Sequence, residues 1–178
     1  MDIRMEKTEK AIKNAFMELR SKKPLEKITV KELCSLACIN KSTFYAHYED
    51  LYALSDTLET ETVASVIRSI PHAQEYSFHN LDVVTREVCL AFLSHLSLIN
   101  VLFSGKGQNY LANKLEAEVK RSMFEKYPQY KEDAQKNILL SYCVHGAYYA
   151  YVNNQNVDME TLLEIIEKIV KTLQGMQD

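Results

Sequence analysis

Between Thr29 and Tyr48 the chain gathers short hydroxyls, lysines, an amide and aromatic rings: Thr29, Lys31, Asn40, Lys41, Ser42, Thr43, Tyr45, Ala46, His47 and Tyr48. These groups suit a phosphodiester backbone. Hydroxyls and lysines donate to phosphate oxygens, and helix N-termini present unpaired N–H groups to them. Small Ser42, Thr43 and Ala46 permit close approach to base edges, and the Thr43 methyl matches a thymine methyl. The expected partner is double-stranded DNA. Taken singly, Thr29 and Asn40 read as helix caps, and Tyr45 and His47 as ordinary surface. The reading rests on their concentration in one stretch.

Other chemistry has less to stand on. No nucleophile–base arrangement, paired-carboxylate motif or phosphate loop is present. Ser104-Gly105-Lys106-Gly107 lacks the length and order of a nucleotide-binding loop. Neither enzymatic activity nor a cofactor is expected. Cys34 and Cys38 lie four apart without a second pair of ligands nearby, so a metal site is not expected. With Cys89 and Cys143 they read as buried thiols of a reducing compartment. A redox role for Cys34 or Cys38 stays open.

The composition fits a folded chain able to bury a core: 178 residues, 47% apolar and 25% charged. Scarce glycine and proline favour helices. No apolar run reaches the roughly 20 residues of a membrane span, and the polar N-terminus does not read as a signal peptide. A cytoplasmic protein is expected, with no membrane partner. The net charge of −3 hides an asymmetry. Residues 1–48 hold ten Lys or Arg against six Asp or Glu, about +4, which leaves about −7 for residues 49–178. A basic end on an acidic body suits docking of that end on a polyanion.

The stretch must be carried by short helices. Ala11, Ile12, Ala15, Phe16 and Leu19 predict a helix over 6–22, ended by Pro24. Thr29 and Glu32 form a capping-box pattern before a helix that buries Val30, Leu33, Cys34 and Ala37. Cys38-Ile39-Asn40 makes a turn. A third helix follows over about 41–48, capped by Asn40 or Ser42, with Ile39, Phe44 and Tyr48 toward the core. Helix, short turn, helix is the helix-turn-helix arrangement, whose second helix lies in the major groove.

Residues 8–54 resemble the N-terminal domain of TetR-family transcriptional regulators. The likeness is carried by Ile12, Ala15-Phe16, Ile28-Thr29-Val30, Leu33, Ala37, Ile39-Asn40-Lys41, Leu54 and above all Thr43-Phe44-Tyr45-x-His47-Tyr48. Two positions depart. Cys38 stands where glycine is frequent in the turn, which requires its dihedrals to stay ordinary. Leu51 stands where many members have a phosphate-binding lysine. The resemblance implies an all-α fold, with a helix-turn-helix domain at 1–50 and a helical dimerisation and effector-binding domain at 51–178. It also implies a repressor acting as a homodimer and released by a small molecule. Leu51 lends some support to an alternative, a helical dimeric adaptor that binds a protein partner.

The body reads as helices over 50–69, 79–96, 108–125, 131–152 and 158–174, with a short apolar piece at 98–103. Pro71 and the polar run His72 to Ser77 make the clearest break. Residues 131–152 are apolar nearly all round, and the last helix has a wide apolar surface. Together they suggest a four-helix subunit interface, with Gly146, Ala147, Ala150, Leu162, Ile165, Ile166, Ile169 and Leu173 as its candidates. A twofold dimer sets two recognition helices about 34–36 Å apart on a palindrome. Cys89, Phe92, Phe103, Tyr110, Met123, Tyr142, His145 and Tyr149 are candidates for an effector cavity. Their chemistry suits a small apolar or aromatic molecule.

Overall fold

The computed structural model describes residues 3–70, 76–104 and 108–175. Of the expected break from Pro71 to Ser77 and the loop from Ser104 to Gly107, residues 71–75 and 105–107 lie outside them. Among the described residues every regular element is helical, and the all-α expectation holds. The helices are α1 (Ile3–Arg20), α2 (Val30–Leu36), α3 (Lys41–His47), α4 (Leu51–Arg68), α5 (Leu81–Ser94), α6 (Leu96–Leu102), α7 (Gln108–Lys126), α8 (Ala134–Asn153) and α9 (Met159–Gln174). The chain forms two compact units, Met1–Thr62 with Ser97–Gln108, and Val63–Leu96 with Asn109–Asp178. The expected boundary at residue 50 coincides with the start of α4. The first unit runs on to Thr62 and takes in most of α6.

In the first unit α1 buries Ile12, Ala15 and Phe16 and packs on α2, which packs on α3. Pro24 is followed by a 3-10 turn at Leu25–Lys27. The α2 capping box is complete: Thr29 Oγ1 accepts from Glu32 N, and Glu32 Oε2 accepts from Thr29 N. Asp50 Oδ1 accepts from Ala53 N in the first turn of α4. Lys13 on α1 bridges Glu9 and Glu61, each at 2.7 Å. Burial works against its charge, but hydrogen bonds to the two carboxylates prevail and raise its pKa to about 12.

The Cys38 turn departs from expectation. Its φ is +55°, the left-handed region, so its dihedrals are not ordinary. The cause is the way α2 ends. Ile39 N donates to Cys34 O and Cys38 N to Ser35 O, the paired bonds of a Schellman cap, whose closing residue must turn left-handed. Arg20 makes a second unusual feature of this unit. Buried on α1, it donates through Nη2 to Leu102 O at 2.8 Å and Ser104 Oγ at 2.9 Å, while its Nε finds no partner. These bonds tie α1 to the end of α6.

The second unit has its core among α5, α7, α8 and α9 and the end of α4, around Ile67, Leu81, Val84, Val119, Met123, Leu140, Leu162 and Val170. Arg86 on α5 reaches Glu160 at 2.6 Å and Glu167 at 3.3 Å on α9. Asp158 caps α9 through Thr161 N, and Asp133 caps α8 through Lys136 N.

Candidate functional site

Seven residues are too few for α3 to form alone, so its ends and one buried ring must fix it. Asn40 Oδ1 accepts from Thr43 N and Ser42 Oγ, both at 2.7 Å, and from Thr43 Oγ1 at 2.8 Å. Asn40 is therefore the cap, and it also sets both hydroxyls; each hydroxyl oxygen keeps its accepting lone pairs. Phe44 is fully buried and anchors the inner face. Lys41, Ser42, Tyr45 and Ala46 are exposed on the outer one, with Thr43 half-buried between. Tyr45 is 55% exposed, and its ring meets the Phe44 ring edge-on at 5.4 Å.

Thr29 and Lys31, at the start of α2, are also exposed or nearly so, as is Asn40. His47 is half-buried against Tyr48. Tyr48 divides from the others. Its ring is buried, burial raises the phenol pKa, and Glu9 and Lys13 lie beside its hydroxyl. Tyr52 is exposed on the first turn of α4. Leu51, directly before it, is buried and packs inward.

The second unit holds a cavity walled by α5, α7, α8 and α9. The space open to the centre of a water-sized sphere is about 60 Å³, several times the roughly 10–15 Å³ that one water needs. Leu81, Val84, Val88, Cys89, Phe92, Leu115, Val119, Leu140, Cys143, Ala147, Tyr148, Tyr151, Leu162 and Ile166 are among its walls. Burial pushes the Cys89 and Cys143 thiols up to about 11, so both are neutral at pH 7 and poor nucleophiles.

Of the eight candidates for such a cavity, Cys89 and Phe92 line it. The others do not. Met123 belongs to the packed core, Phe103 is buried in the first unit, and Tyr110 and Tyr142 are exposed. His145 and Tyr149 sit on another side of α8 with their rings stacked. The tyrosines that do line the cavity are Tyr148 and Tyr151, neither among those candidates; their rings meet Phe92 edge-on. Their spacing of three was the available signal, obscured because α8 is apolar on most sides.

The interface candidates divide the same way. Ala147, Leu162 and Ile166 face the cavity, and Ala150 and Leu173 pack on the unit's own core. Gly146, Ile165 and Ile169 are exposed. With Ile138, Tyr142, Tyr149 and Val152 they give α8 and α9 outward apolar faces. Next to the α8 face lies a polar cluster. Glu116 Oε1 accepts from Ser141 Oγ at 2.6 Å and from Lys120 Nζ at 2.7 Å, and its Oε2 lies 2.7 Å from His145 Nε2. Burial alone would raise the Glu116 pKa, but bonds from Lys120, Ser141 and His145 outweigh it and hold the carboxyl down to about 2.

Among the described residues no group of His, Cys, Asp and Glu is arranged to hold a metal ion. No helix among them is long and apolar enough to cross a membrane. No profile of a known protein family matches the chain, and no curated protein shows significant similarity to it.

Proposed function

We propose that the chain is a sequence-specific DNA-binding transcriptional regulator of the TetR kind, a repressor that works as a twofold dimer on an inverted repeat. The carrying observation is α3: one ring inward, and lysine, hydroxyl, tyrosine and alanine outward. A recognition helix needs that division. Its inner side must be rigidly held, and its outer side must be small enough to enter the major groove and polar enough to bind its edges. The exposed starts of α2 and α3 add N–H groups for phosphates, and the charge excess of residues 1–48 has the right sign.

The outward apolar faces of α8 and α9 support self-association, and the apolar cavity supports a small uncharged effector. An adaptor reading leaned on Leu51 in place of lysine. Its burial accounts for that residue without a change of partner.

Selection of bound fragments from random duplex DNA tests the reading. The expected product is an inverted repeat whose half-sites are separated by whole helical turns. Recovery of unenriched DNA would overturn it. In the same system Lys41→Ala should weaken binding to all sequences and reduce the salt slope by about 1, as loss of one phosphate contact does.

A further inference from the structure

A buried charge normally has an opposite charge beside it. Glu118 on α7 is buried and is answered by Arg121 one turn on. Arg20 is buried too, with 5% of its surface exposed, and is answered differently. Among the described residues its bonds go to neutral oxygens: Leu102 O at 2.8 Å, Ser104 Oγ at 2.9 Å and Lys23 O at 3.5 Å. Its Nε has no partner at all. Burial lowers its pKa against the more distant pull of Glu26 and Glu59.

Two helix ends stand in for the missing carboxylate. Arg20 is the last residue of α1, and Leu102 is the last of α6. The closing carbonyls of a helix find no partner within it and carry the negative end of its dipole. Of the two helices, α6 depends more on the arrangement. Seven residues are too few for it to form alone. Its chain neighbours on both sides belong to the second unit, so side chains alone hold it in the first. Those are Ile99, Leu102 and Phe103, all buried, and a cap that comes from 82 positions back in the chain. If α6 unwinds, the Leu102 carbonyl turns away from the guanidinium. If the guanidinium withdraws, a buried carbonyl is left bare. Each holds only while the other does.

We propose that α6 is a detachable strap of the first unit and that Arg20 is the latch that seats it. With the latch closed, α6 is helical and its three apolar side chains are covered. With it open, α6 loses its helix and the guanidinium takes up water. Helices α1 to α3 keep their fold, anchored by Ile12, Phe16, Leu33 and Phe44. Rehydration of an unpaired charge favours opening, and exposure of Ile99, Leu102 and Phe103 opposes it. A carboxylate in reach of Arg20 would have fixed the strap; two neutral oxygens and an idle Nε leave it releasable.

The test uses the full chain and native-state hydrogen exchange read by mass spectrometry. In the unaltered protein the amides of α6 should exchange ahead of those at the centre of α1, through an opening insensitive to low denaturant. Arg20→Met removes charge and cap together. Exchange of α6 should rise at least about tenfold, while the denaturant midpoint does not fall, because an apolar side chain suits a dry site. Arg20→Lys keeps the charge but ends one bond short of both oxygens. It should speed α6 exchange as much and also lower the midpoint, since the buried charge has lost its bonds. Ser104→Ala removes one acceptor and should give a smaller rise, about two- to tenfold. Exchange of α6 at the unaltered rate in Arg20→Met overturns the latch. So does a rise shared by the centre of α1 together with a fallen midpoint in that variant, the behaviour of an ordinary packing residue. Should Arg20→Met fail to fold, Ser104→Ala decides, and unchanged α6 exchange there overturns the latch. None of these measurements involves DNA, so they decide the latch whichever partner the first unit binds.

Discussion

Helices α3 and α8 both expose tyrosine, and the neighbours make the two faces different. On α3, Tyr45 shares its face with Lys41, Ser42 and Ala46, above the buried Phe44 ring. On α8, Tyr142 and Tyr149 stand in line with Ile138 and Val152. A phenol beside a cation and hydroxyls suits a surface rich in acceptors, such as a nucleic acid groove. The same phenol in an aliphatic row suits another apolar surface, covering area with its ring and keeping its hydroxyl at the wet edge. An exposed aromatic therefore says little about its partner until the residues three and four positions away are read with it.

The largest expected effect breaks one face and spares the other. Phe44→Ala empties the site that fixes α3, at a cost of about 3–5 kcal/mol for a buried phenylalanine. Thermal unfolding by far-UV circular dichroism should show the loss as a transition at lower temperature. An unshifted transition would deny that the buried Phe44 ring fixes α3. Next in size, Tyr45→Ala should cost about 1–3 kcal/mol in operator affinity without changing the dimer constant. Tyr142→Ala should do the reverse. Gel-shift and sedimentation measurements on both variants would collapse the contrast if each moved both quantities.

The parts of these faces that were legible in the sequence are the ones set over three or four residues. Thr29 with Glu32, and Asn40 ahead of Thr43, were readable because a cap is a fixed short spacing. Phe44 toward the core was readable because its neighbours are polar. The direction of Tyr148 against Tyr149 was not, because α8 is apolar most of the way round and periodicity cannot orient such a helix. Nor was the place of Phe103 in the first unit. That depends on bonds such as Arg20 to Leu102, between residues far apart in the chain, which no local pattern announces.

Acid distinguishes the two faces by a smaller amount. Glu116 lies next to the α8 face, its carboxyl held down to about 2 against an ordinary 4.5. A depressed carboxylate contributes stability in full above its unfolded pKa and loses it as pH falls toward the folded one. The second unit should thus weaken between about pH 5 and pH 2. Glu116→Gln should flatten that slope, by about 1 kcal/mol once solvent screening of a partly exposed cluster is allowed for. Denaturant midpoints of the two proteins at several pH values give the comparison. Parallel curves would remove Glu116 from the account of acid sensitivity.

The smallest effect separates backbone from side chain on the α3 side. At φ +55° Cys38 bears a left-handed penalty of about 1–2 kcal/mol, which glycine escapes. Glycine gives back roughly 0.5–1 kcal/mol through the greater freedom of its unfolded chain. The net expectation for Cys38→Gly is a gain of about 0.5 kcal/mol in the stability of the first unit, read from its denaturant midpoint. Cys38→Ala keeps the Cβ and should change little. Equal gains from both would assign the cost to the exposed thiol. A gain from glycine alone assigns it to the turn, whose Schellman bonds from Ile39 and Cys38 both variants retain. In that case operator affinity should be the same in all three proteins, because the turn delivers α3 at one angle whatever side chain it carries, and the outward set from Lys41 to Ala46 is unchanged.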